Sequence, residues 1–532
     1  MTGGGGVQAV AVAPHAAAAQ AAARVLRDGG CAIEAMVAAA AVIAVVYPHM
    51  TGLGGDGFWL IHEPGRDPYG IDASGTVGAL ATPDAYRARG YDAMPARGPL
   101  AANTVAGTVA GWELALSSVQ GRRRVLPLEH LLEDAIGYAE RGFPTTASQA
   151  ASTMGRVAEL DGQPGFREHF LAPDGGVPER GSVLRQPTLA ATLRGLARRG
   201  LRDFYEGEVA AMITADLAAV TSPVTAADLG TFRARLVRPL QMAHSLGTLY
   251  NLSPPTQGVL SLLMLGILDR LGLERLPREG ADLVHLTVEA AKRAFALRDR
   301  YKGWFLESGG DVAEWLESAR LDAEAFAIDR MQAAPWHARQ GPADTVWLGV
   351  IDREGQVVSF IQSLYHEFGS GVVLPGTGIC WQNRGAGFSL TPGAVDCIGP
   401  GRRPYHTLNP AIAALNDGRV LAYGAMGGDG QPQTQAAVFT RLALYGDDPQ
   451  TAVSAPRWLL GRTWGDPSDG LKVEARFPDA VFRELERRGH RVSRLASFDE
   501  TLGHAGVVMR DVRGRVSGGA DPRSDGQAIV LD

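Results

Sequence analysis

The segment from Asp344 to Ser363 constrains the fold of this chain most strongly. Two apolar runs, residues 344–352 and 356–363, are joined by a tight Asp-Arg-Glu-Gly turn. Apolar residues continue through both arms, a pattern typical of strands that are buried on both faces. We therefore predict a buried β-hairpin in which Thr345 opens the first strand and Ser363 closes the second.

Thr345 is a candidate nucleophile because of its position at the start of a buried strand. If the peptide bond after Asp344 is cut, Thr345 acquires a free α-amine beside its own hydroxyl. That amine can act as the base that activates the hydroxyl. A β-favouring residue at a strand edge is the alternative explanation of this threonine, and the other motifs of the chain have to decide between the two.

Further motifs follow one another in a defined order along the chain. They are Ala13-Pro-His15, the run from Tyr47 to Gly55, the run from Phe368 to Gly378, Gln382-Asn383, Arg403-Pro404, Asn409-Pro410, Gly427-Gly428 and the run from Ala520 to Gly526. Together with the hairpin, this order resembles the γ-glutamyltransferase family of N-terminal-nucleophile (Ntn) hydrolases. The resemblance extends over nearly the whole chain.

This resemblance implies an α+β fold, the four-layer αββα sandwich of the Ntn hydrolases, formed from an autocleaved single chain. Residues 1–344 would be the large subunit and residues 345–532 the small subunit, which begins with the nucleophile. A chain of 532 residues would by length alone suggest two to four domains. The resemblance implies instead one interwoven domain, a heterodimer of the two fragments, with further dimerisation left open.

The resemblance also implies the catalytic groups. Thr345 would attack the carbonyl group of Asp344 during maturation and a substrate amide afterwards, forming an acyl-enzyme. Ser363 stands where the family carries a threonine that hydrogen-bonds to the nucleophile. Gly427 and Gly428 match the glycine pair whose N–H groups form the oxyanion hole, although a Gly-Gly pair taken alone is more typical of a turn.

The positions that hold an α-amino acid in γ-glutamyl enzymes differ in this sequence. The family's arginine, its neighbouring acid, an asparagine, a Gln/Asp pair and two serines are replaced here by Ser74, Gly75, Tyr365, Arg384, Gly387, His406 and Thr407. The acidic and amide acceptors for an ammonium group are thereby lost together. A positive Arg384 at the place of that ammonium group would repel it.

The sequence therefore predicts a self-processing amidohydrolase that cleaves a small amide carrying a carboxylate. Arg384, Tyr365 and His406, with Thr407 and Ser74, would bind the substrate, because a guanidinium group suits a small carboxylate. Trp381 is a further candidate for the lining of the pocket. Within the family, the pattern resembles the oxamate amidohydrolases of purine breakdown, which release oxalate and ammonia from oxamate.

Three other functions remain open at this point. The chain could be a γ-glutamyl hydrolase or transferase that acts on glutathione-like substrates through a rearranged clamp. It could be a cephalosporin-type acylase, since residues 390–402 are short where relatives carry a substrate lid. It could also be a non-catalytic binding relative. Arg384 as a surface loop residue and His406 as a structural histidine also remain open.

Composition gives no reason to expect nucleic acid or an anionic membrane as a partner. The chain is 45% hydrophobic and 20% charged, with a net charge of −6. Cys31, Cys380 and Cys397 are too few for a disulfide framework, although a Cys380–Cys397 bridge is conceivable. We expect inert thiols, no metal and no cofactor, because no cluster has metal-ligand spacing.

The start of the chain predicts a cytoplasmic protein. No Lys or Arg precedes Arg24, so a secretory n-region is missing, and the apolar run 35–47 is too short to span a bilayer.

The secondary-structure prediction outside the hairpin is as follows. Helices are predicted at 15–27, 32–46, 132–140, 189–199, 209–220, 259–271, 435–445 and 479–488, and strands at 57–62 and 69–74. Residues 127–297 are predicted to be mostly helical. Residues 320–342 read as an irregular, exposed segment that could be cleaved at its end.

Overall fold

The computed structural model describes residues 8–119, 125–307, 312–336, 344–462 and 468–532, with the backbone alone for residues 301–307. The strands are β1 (Ala9–Ala13), β2 (Asp56–His62), β3 (Tyr69–Ala73), β4 (Phe143–Pro144), β5 (Val183–Leu184), β6 (Arg235–Val237), β7 (Leu240–His244), β8 (Gly247–Asn251), β9 (Asp344–Ile351), β10 (Val357–Tyr365), β11 (Val373–Leu374), β12 (Ile379–Cys380), β13 (Ala411–Leu415), β14 (Val420–Ala425), β15 (Trp458–Leu460), β16 (Leu471–Glu474), β17 (Val492–Leu495), β18 (Ala505–Arg510), β19 (Val516–Ala520) and β20 (Gln527–Leu531).

The α-helices are α1 (Ala16–Arg27), α2 (Ala32–Val46), α3 (Pro83–Arg87), α4 (Thr108–Val119), α5 (Leu128–Arg141), α6 (Ala147–Leu160), α7 (Phe166–Phe170), α8 (Pro187–Arg199), α9 (Asp203–Glu206), α10 (Glu208–Ala219), α11 (Ala226–Thr231), α12 (Gly258–Leu268), α13 (Ala281–Glu307), α14 (Ser318–Phe326), α15 (Gly430–Phe439), α16 (Pro449–Ser454) and α17 (Asp479–Arg487). Short 3₁₀ turns lie at Leu273–Arg275, Val312–Leu316, Arg384–Gly387 and Glu500–Leu502, and a π turn at Thr440–Leu444.

The predicted hairpin forms the middle of the first sheet. Its strand order is β20-β1-β9-β10-β2-β3-β6, and every neighbouring pair is antiparallel. β9 is therefore hydrogen-bonded on both edges, by β1 and by β10. β10 pairs with β9 from Asp344 to Ile351, and β1 pairs with it from Gly349 to Ile351. These ladders satisfy backbone groups of a strand in which every residue is buried.

A second antiparallel sheet lies against the first. Its strand order is β19-β18-β14-β13-β8-β7. Both sheets take strands from the chain before Asp344 and from the chain after it.

Helices cover the outer faces of both sheets. α1, α2 and α4 pack on the first sheet, and α12 and α15 pack on the second. The sequence explains α2, because it has no polar face and every one of its residues is buried. Apolar residues of β1, β2, β9 and β18 fill the space between the sheets. The four-layer αββα sandwich is thus confirmed.

Alternation along β9 decides which face carries Thr345. Val346, Leu348 and Val350 point to the helical layer, whereas Trp347 and Ile351 belong to the core between the sheets. Because side chains alternate along a strand, Thr345 shares the inner face with Trp347.

The indole ring of Trp347 is closely enclosed. Its N–H group donates a hydrogen bond to Ser359 Oγ at 2.9 Å. Gly349, Gly424 and Gly506 lie directly against the ring. The two sheets therefore approach each other around Trp347, two residues from the candidate nucleophile.

The secondary-structure prediction was incomplete in one stretch, which is mostly helical as predicted but also contains strands, and wrong in another. Residues 235–251 form β6, β7 and β8 inside the stretch that was predicted to be mostly helical, since short strands there complete the two sheets. α14 occupies Ser318–Phe326, where an irregular segment was predicted, because Leu321 and Ala325 pack into the second core. Residues 337–343 of that segment lie outside the described residues.

Two further observations bear on the sequence predictions. No disulfide joins any two of the three cysteines, all of which the structure describes. In the part of the chain that the structure describes, no helix combines the length and the apolar character that crossing a bilayer requires.

We predict that Gly424→Ala destabilises the protein. A methyl group at this position would lie 2.1 Å from Trp347 Cδ1. Because the ring is fixed between two sheets, the overpacking should cost about 1–3 kcal/mol, measurable by urea denaturation. Gly155→Ala in α6 is the control, since no atom lies within 4 Å of its added methyl group. Equal stability of the two variants would contradict this account of the inter-sheet packing.

Candidate active site

Three polar side chains line up at one end of the first sheet. Ser363 on β10 lies opposite Asp56 on β2, and a β-bulge between Gln362 and Tyr365 brings Tyr365 opposite Asp344 on β9. The alternation of each strand directs Thr345, Ser363 and Asp56 to the inner face. All three are buried. They form a row across three adjacent strands.

Thr345 is contacted by a glutamine that we did not predict. Gln431 Nε2 lies 3.5 Å from Thr345 Oγ1. Asn409 Nδ2 donates to Gln431 Oε1 at 3.0 Å, which fixes the amide with its nitrogen toward the threonine. One feature of the sequence could have indicated this residue: Gln431 follows Gly428 by three residues and lies in the first turn of α15.

Ser363 contacts the peptide bond that would be cleaved. Its hydroxyl group donates a short hydrogen bond to the carbonyl oxygen of Asp344. The same oxygen Oγ accepts the backbone N–H of Tyr365 at 2.8 Å. Ser363 therefore polarises the carbonyl group of the bond that is predicted to be cleaved, whereas the sequence analysis predicted a hydrogen bond from Ser363 to the hydroxyl group of Thr345.

Tyr365 carries backbone strain beside this bond. Its φ angle is +85°, which is unusual for a residue with a side chain. The strain coincides with the bulge that aligns Tyr365 with Asp344.

Gly427 and Gly428 follow β14 with φ angles of +115° and +52°. The first of these angles in particular favours glycine. Their carbonyl groups point into the protein, where they accept from the N–H of Gly430 and from Gln257 Nε2, each at 2.7 Å. Within the described chain, neither N–H group of the pair donates to a protein acceptor. Two free donors in this position are what an oxyanion hole requires.

Arg384 is a buried cation without a carboxylate partner. The residue is 1% exposed, and no described group accepts a hydrogen bond from its three guanidinium nitrogens. The guanidinium carbon lies 4.1 Å from the ring centroid of Tyr365. Burial lowers the pKa of Arg384 to about 10, so it stays charged at neutral pH. An uncompensated buried charge is costly, and a bound anion would offset that cost.

His406 lies beside this cation as a neutral ring. It is fully buried, its ring packs edge-on at 4.9 Å from Phe58, and neither ring nitrogen has a hydrogen-bond partner among the described residues. Burial, followed by the charges of Arg384 and Arg403, holds the pKa of His406 well below its usual value. The hydroxyl group of Thr407 is likewise buried without a described partner.

Asp56 completes what we call the Arg384 cluster, which consists of Arg384, Tyr365, His406 and Asp56. Asp56 Oδ2 lies 3.3 Å from His406 Nε2, but no hydrogen bond joins the two atoms. Burial raises the pKa of Asp56 to about 7. The sequence analysis assigned no role to Asp56. An acidic residue within a Gly-Gly-Asp-Gly run was the feature that could have indicated one.

Two predicted pocket residues have other contacts. The hydroxyl group of Ser74 donates to Asp72 Oδ1 at 2.6 Å and accepts from Arg403 Nη1 at 3.0 Å. Ser74 is thus positioned to hold Arg403. Trp381 lies in the core under the first sheet, where its indole N–H donates a hydrogen bond to the carbonyl oxygen of Thr104 at 2.9 Å. Trp381 was predicted to line the pocket, and this position differs from that prediction.

The side chain of Asp344 lies in an acidic environment. It is buried, and neither carboxyl oxygen has a hydrogen-bond partner in the described chain. Burial, then the charges of Glu367 and Glu500, raise the pKa of Asp344 well above its usual value. The positive charges of Arg156 and Arg97 oppose this rise in the pKa.

One group of potential metal ligands lies outside this site. The ligand atoms of His285, Glu289 and His490 are within 4.8 Å of one another, and all three residues are buried. Glu289 already accepts from Lys292 Nζ at 2.7 Å and from the N–H of Ala334 at 3.1 Å. These contacts fasten the end of the described chain before Asp344 to α13.

The chain belongs to the gamma-glutamyltranspeptidase family, whose sequence profile matches residues 18–531. It is 56% identical over 520 residues to an oxamate amidohydrolase proenzyme of Klebsiella pneumoniae, covering 98% of each chain. It is 38% identical over 527 residues to a glutathione hydrolase-like proenzyme of Bacillus subtilis, covering 99% of each.

The fold is similar to a solved acylase. The crystal structure of cephalosporin acylase from Bacillus halodurans matches with a TM-score of 0.86 at 31% identity, covering 98% of this chain and 95% of that one. The chain is therefore an Ntn amidohydrolase of this family, as the sequence motifs predicted.

We predict that Ser363→Ala slows maturation. The variant lacks the hydroxyl group that donates to the Asp344 carbonyl, and loss of one such donor typically reduces a rate by about 10²–10³-fold. The conversion of precursor to fragments should be followed on denaturing gels. Ser363→Thr is the matched control, because it keeps the donor. Maturation of Ser363→Ala at the wild-type rate would mean that this hydrogen bond has no part in cleavage.

Proposed function

We propose that the protein is a self-processing amidohydrolase with Thr345 as its nucleophile and oxamate as its substrate. The observation that carries this proposal is the buried guanidinium group of Arg384, which has no hydrogen-bond partner in the described chain. This group lies over the ring of Tyr365, and Tyr365 is the strand partner of Asp344, the residue before the bond to be cleaved. A small amide that carries a carboxylate would neutralise this cation while its carbonyl group reaches Thr345.

Maturation would use the contacts of the uncut chain. Thr345 Oγ attacks the Asp344 carbonyl carbon, whose oxygen already accepts from Ser363. The C–N bond breaks as the nitrogen of Thr345 gains a proton, and an ester joins the two residues. Water hydrolyses the ester, which leaves fragments 1–344 and 345–532. The fragments would remain together as a heterodimer, because both contribute strands to both sheets.

Turnover would repeat this chemistry on the substrate. The α-amine of Thr345 takes the proton from Oγ, and Oγ attacks the amide carbon of oxamate. The N–H groups of Gly427 and Gly428 would stabilise the oxyanion. The proton passes to the leaving nitrogen, which departs as ammonia. Water then hydrolyses the oxalyl ester and releases oxalate, so that one oxamate and one water give one oxalate and one ammonia.

Two independent lines support a carboxylate substrate without an ammonium group. The first is the charge of Arg384, which persists at neutral pH because its pKa is about 10. The second is the 56% identity to a protein named as an oxamate amidohydrolase proenzyme. γ-Glutamyl substrates and bulkier acylase substrates become alternative outcomes of the substrate test.

We predict that Arg384→Ala weakens oxamate binding. Loss of a hydrogen bond to a charged group costs about 1.5–3 kcal/mol, which corresponds to a rise in KM of about 10–150-fold. Ammonia release should be measured with oxamate, with the neutral amide oxamide and with a γ-glutamyl amide. Oxamide should be a poor substrate of the wild-type enzyme, and the substitution should affect it little.

Arg353→Ala is the matched control, since Arg353 is an exposed arginine in the turn between β9 and β10. Maturation should proceed in both variants, because the guanidinium group of Arg384 donates no hydrogen bond to the Asp344 carbonyl. If both proteins handle oxamate like wild type and the γ-glutamyl amide is cleaved faster, the substrate assignment is wrong.

A further inference from the structure

The carboxyl group of Asp56 has two oxygens in very different environments. Oδ1 accepts from Gly75 N–H at 2.9 Å, from Gln382 Nε2 at 3.0 Å and from Gly107 N–H at 3.2 Å. Oδ2 is buried and accepts from no described group. Three donors occupy the lone pairs of Oδ1. A proton on this carboxyl group can therefore only reside on Oδ2.

Oδ2 lies within reach of a small ligand bound at Thr345. Asp56 is the strand partner of Ser363, and the strand of Ser363 also pairs with that of Thr345. Two interstrand spacings separate Asp56 from Thr345, about 10 Å between backbones. Both side chains project from the same face, so that a molecule of oxamate size can bridge the gap between them.

Among the described residues, two arginines, a histidine and a tyrosine bring charged or titratable groups close to Asp56. His406 lies 3.3 Å from Asp56 and is neutral, and Arg384 and Arg403 act on Asp56 through their positive charges. The buried phenol of Tyr205 stays neutral, because burial raises its pKa. The two arginines favour the carboxylate, yet burial outweighs them and raises the pKa of Asp56 to about 7. A ligand carboxylate placed beside it would raise that pKa further, since like charges disfavour ionisation.

We propose that Asp56 binds the substrate as a neutral carboxylic acid, which donates a hydrogen bond from Oδ2 to the substrate carboxylate beside Arg384. This proposal rests on the proposed function, because it concerns the carboxylate end of the same substrate. Arg384 supplies the charge and Asp56 supplies a proton. Together they select a carboxylate, and binding is linked to the uptake of one proton.

The opposite role for Asp56 makes a different prediction. An ionised Asp56 would accept a hydrogen bond, either from the amide N–H of the substrate or from the ammonium group of an α-amino acid. Replacing the acceptor oxygen with a donor would then abolish binding. Asp56→Asn separates the two roles, because its carbonyl oxygen can keep the three donors of Oδ1 while its NH₂ group replaces the protonated Oδ2.

The test is inhibition of oxamate turnover by the product oxalate, measured between pH 6 and 9. Above about pH 7, the oxalate Ki of wild type should rise relative to that of Asp56→Asn, approaching about tenfold per pH unit as one proton must be taken up. At pH 6 the two Ki values should agree within about fivefold. Titration of the Thr345 α-amine is common to both proteins and cancels in this ratio.

Two more variants complete the experiment. Asp84→Asn removes an exposed carboxylate on α3 and should follow wild type at every pH. Asp56→Leu removes both the donor and the acceptor, and oxalate inhibition should be lost. If Asp56→Leu does not mature, the comparison of wild type with Asp56→Asn still decides the matter.

Two results would overturn the proposal while leaving the proposed function intact. One is turnover of oxamate by wild type with a Ki ratio that does not change with pH. The other is loss of oxalate binding in matured Asp56→Asn at pH 6. If wild type neither cleaves oxamate nor binds oxalate, the proposed function fails and this proposal fails with it. Denaturing gels should confirm maturation of every variant.

Discussion

The hydrogen-bonded ladders on both edges of β9 are the constraint on which the rest of the structure depends. β1 and β10 hold this strand in the middle of the first sheet, and Trp347 locks its inner face against Gly424 and Gly506 of the second. Thr345 is consequently fixed at the start of a buried strand. Its hydroxyl oxygen lies 3.5 Å from the amide nitrogen of Gln431.

The site is distinguished by polar groups that the fold leaves unpaired. Most buried polar groups in proteins find a partner, yet the nitrogens of Arg384 and His406 and the oxygen Oδ2 of Asp56 have none in the described chain. Around them the amides of Gln257 and Asn409 are fully used in holding loops together. Surrounding amides that have hydrogen-bond partners, around central groups that have none, are expected where a polar ligand supplies the missing partners.

The sequence predicted the parts of the fold that local pattern determines. The hairpin and α2 follow from unbroken apolar runs. The family motifs indicated Thr345 as the candidate nucleophile and Arg384 as a candidate substrate-binding residue. β7 and β8 were missed because their burial depends on strands distant in sequence. Gln431 and Asp56 were missed for a related reason, since only the sheet register and the start of α15 bring them to the row that contains Thr345.

The central claim is that Thr345 becomes an N-terminal nucleophile at the start of β9, and the N-terminal sequence of the small fragment tests it most directly. N-terminal sequencing of the purified protein should read Thr-Val-Trp-Leu, from a fragment of about 20 kDa beside one of about 36 kDa, by their shares of the 56.2 kDa chain. Thr345→Ala should remain a single inactive chain. A fragment that starts at another residue, or cleavage of Thr345→Ala at the same bond, would contradict the account.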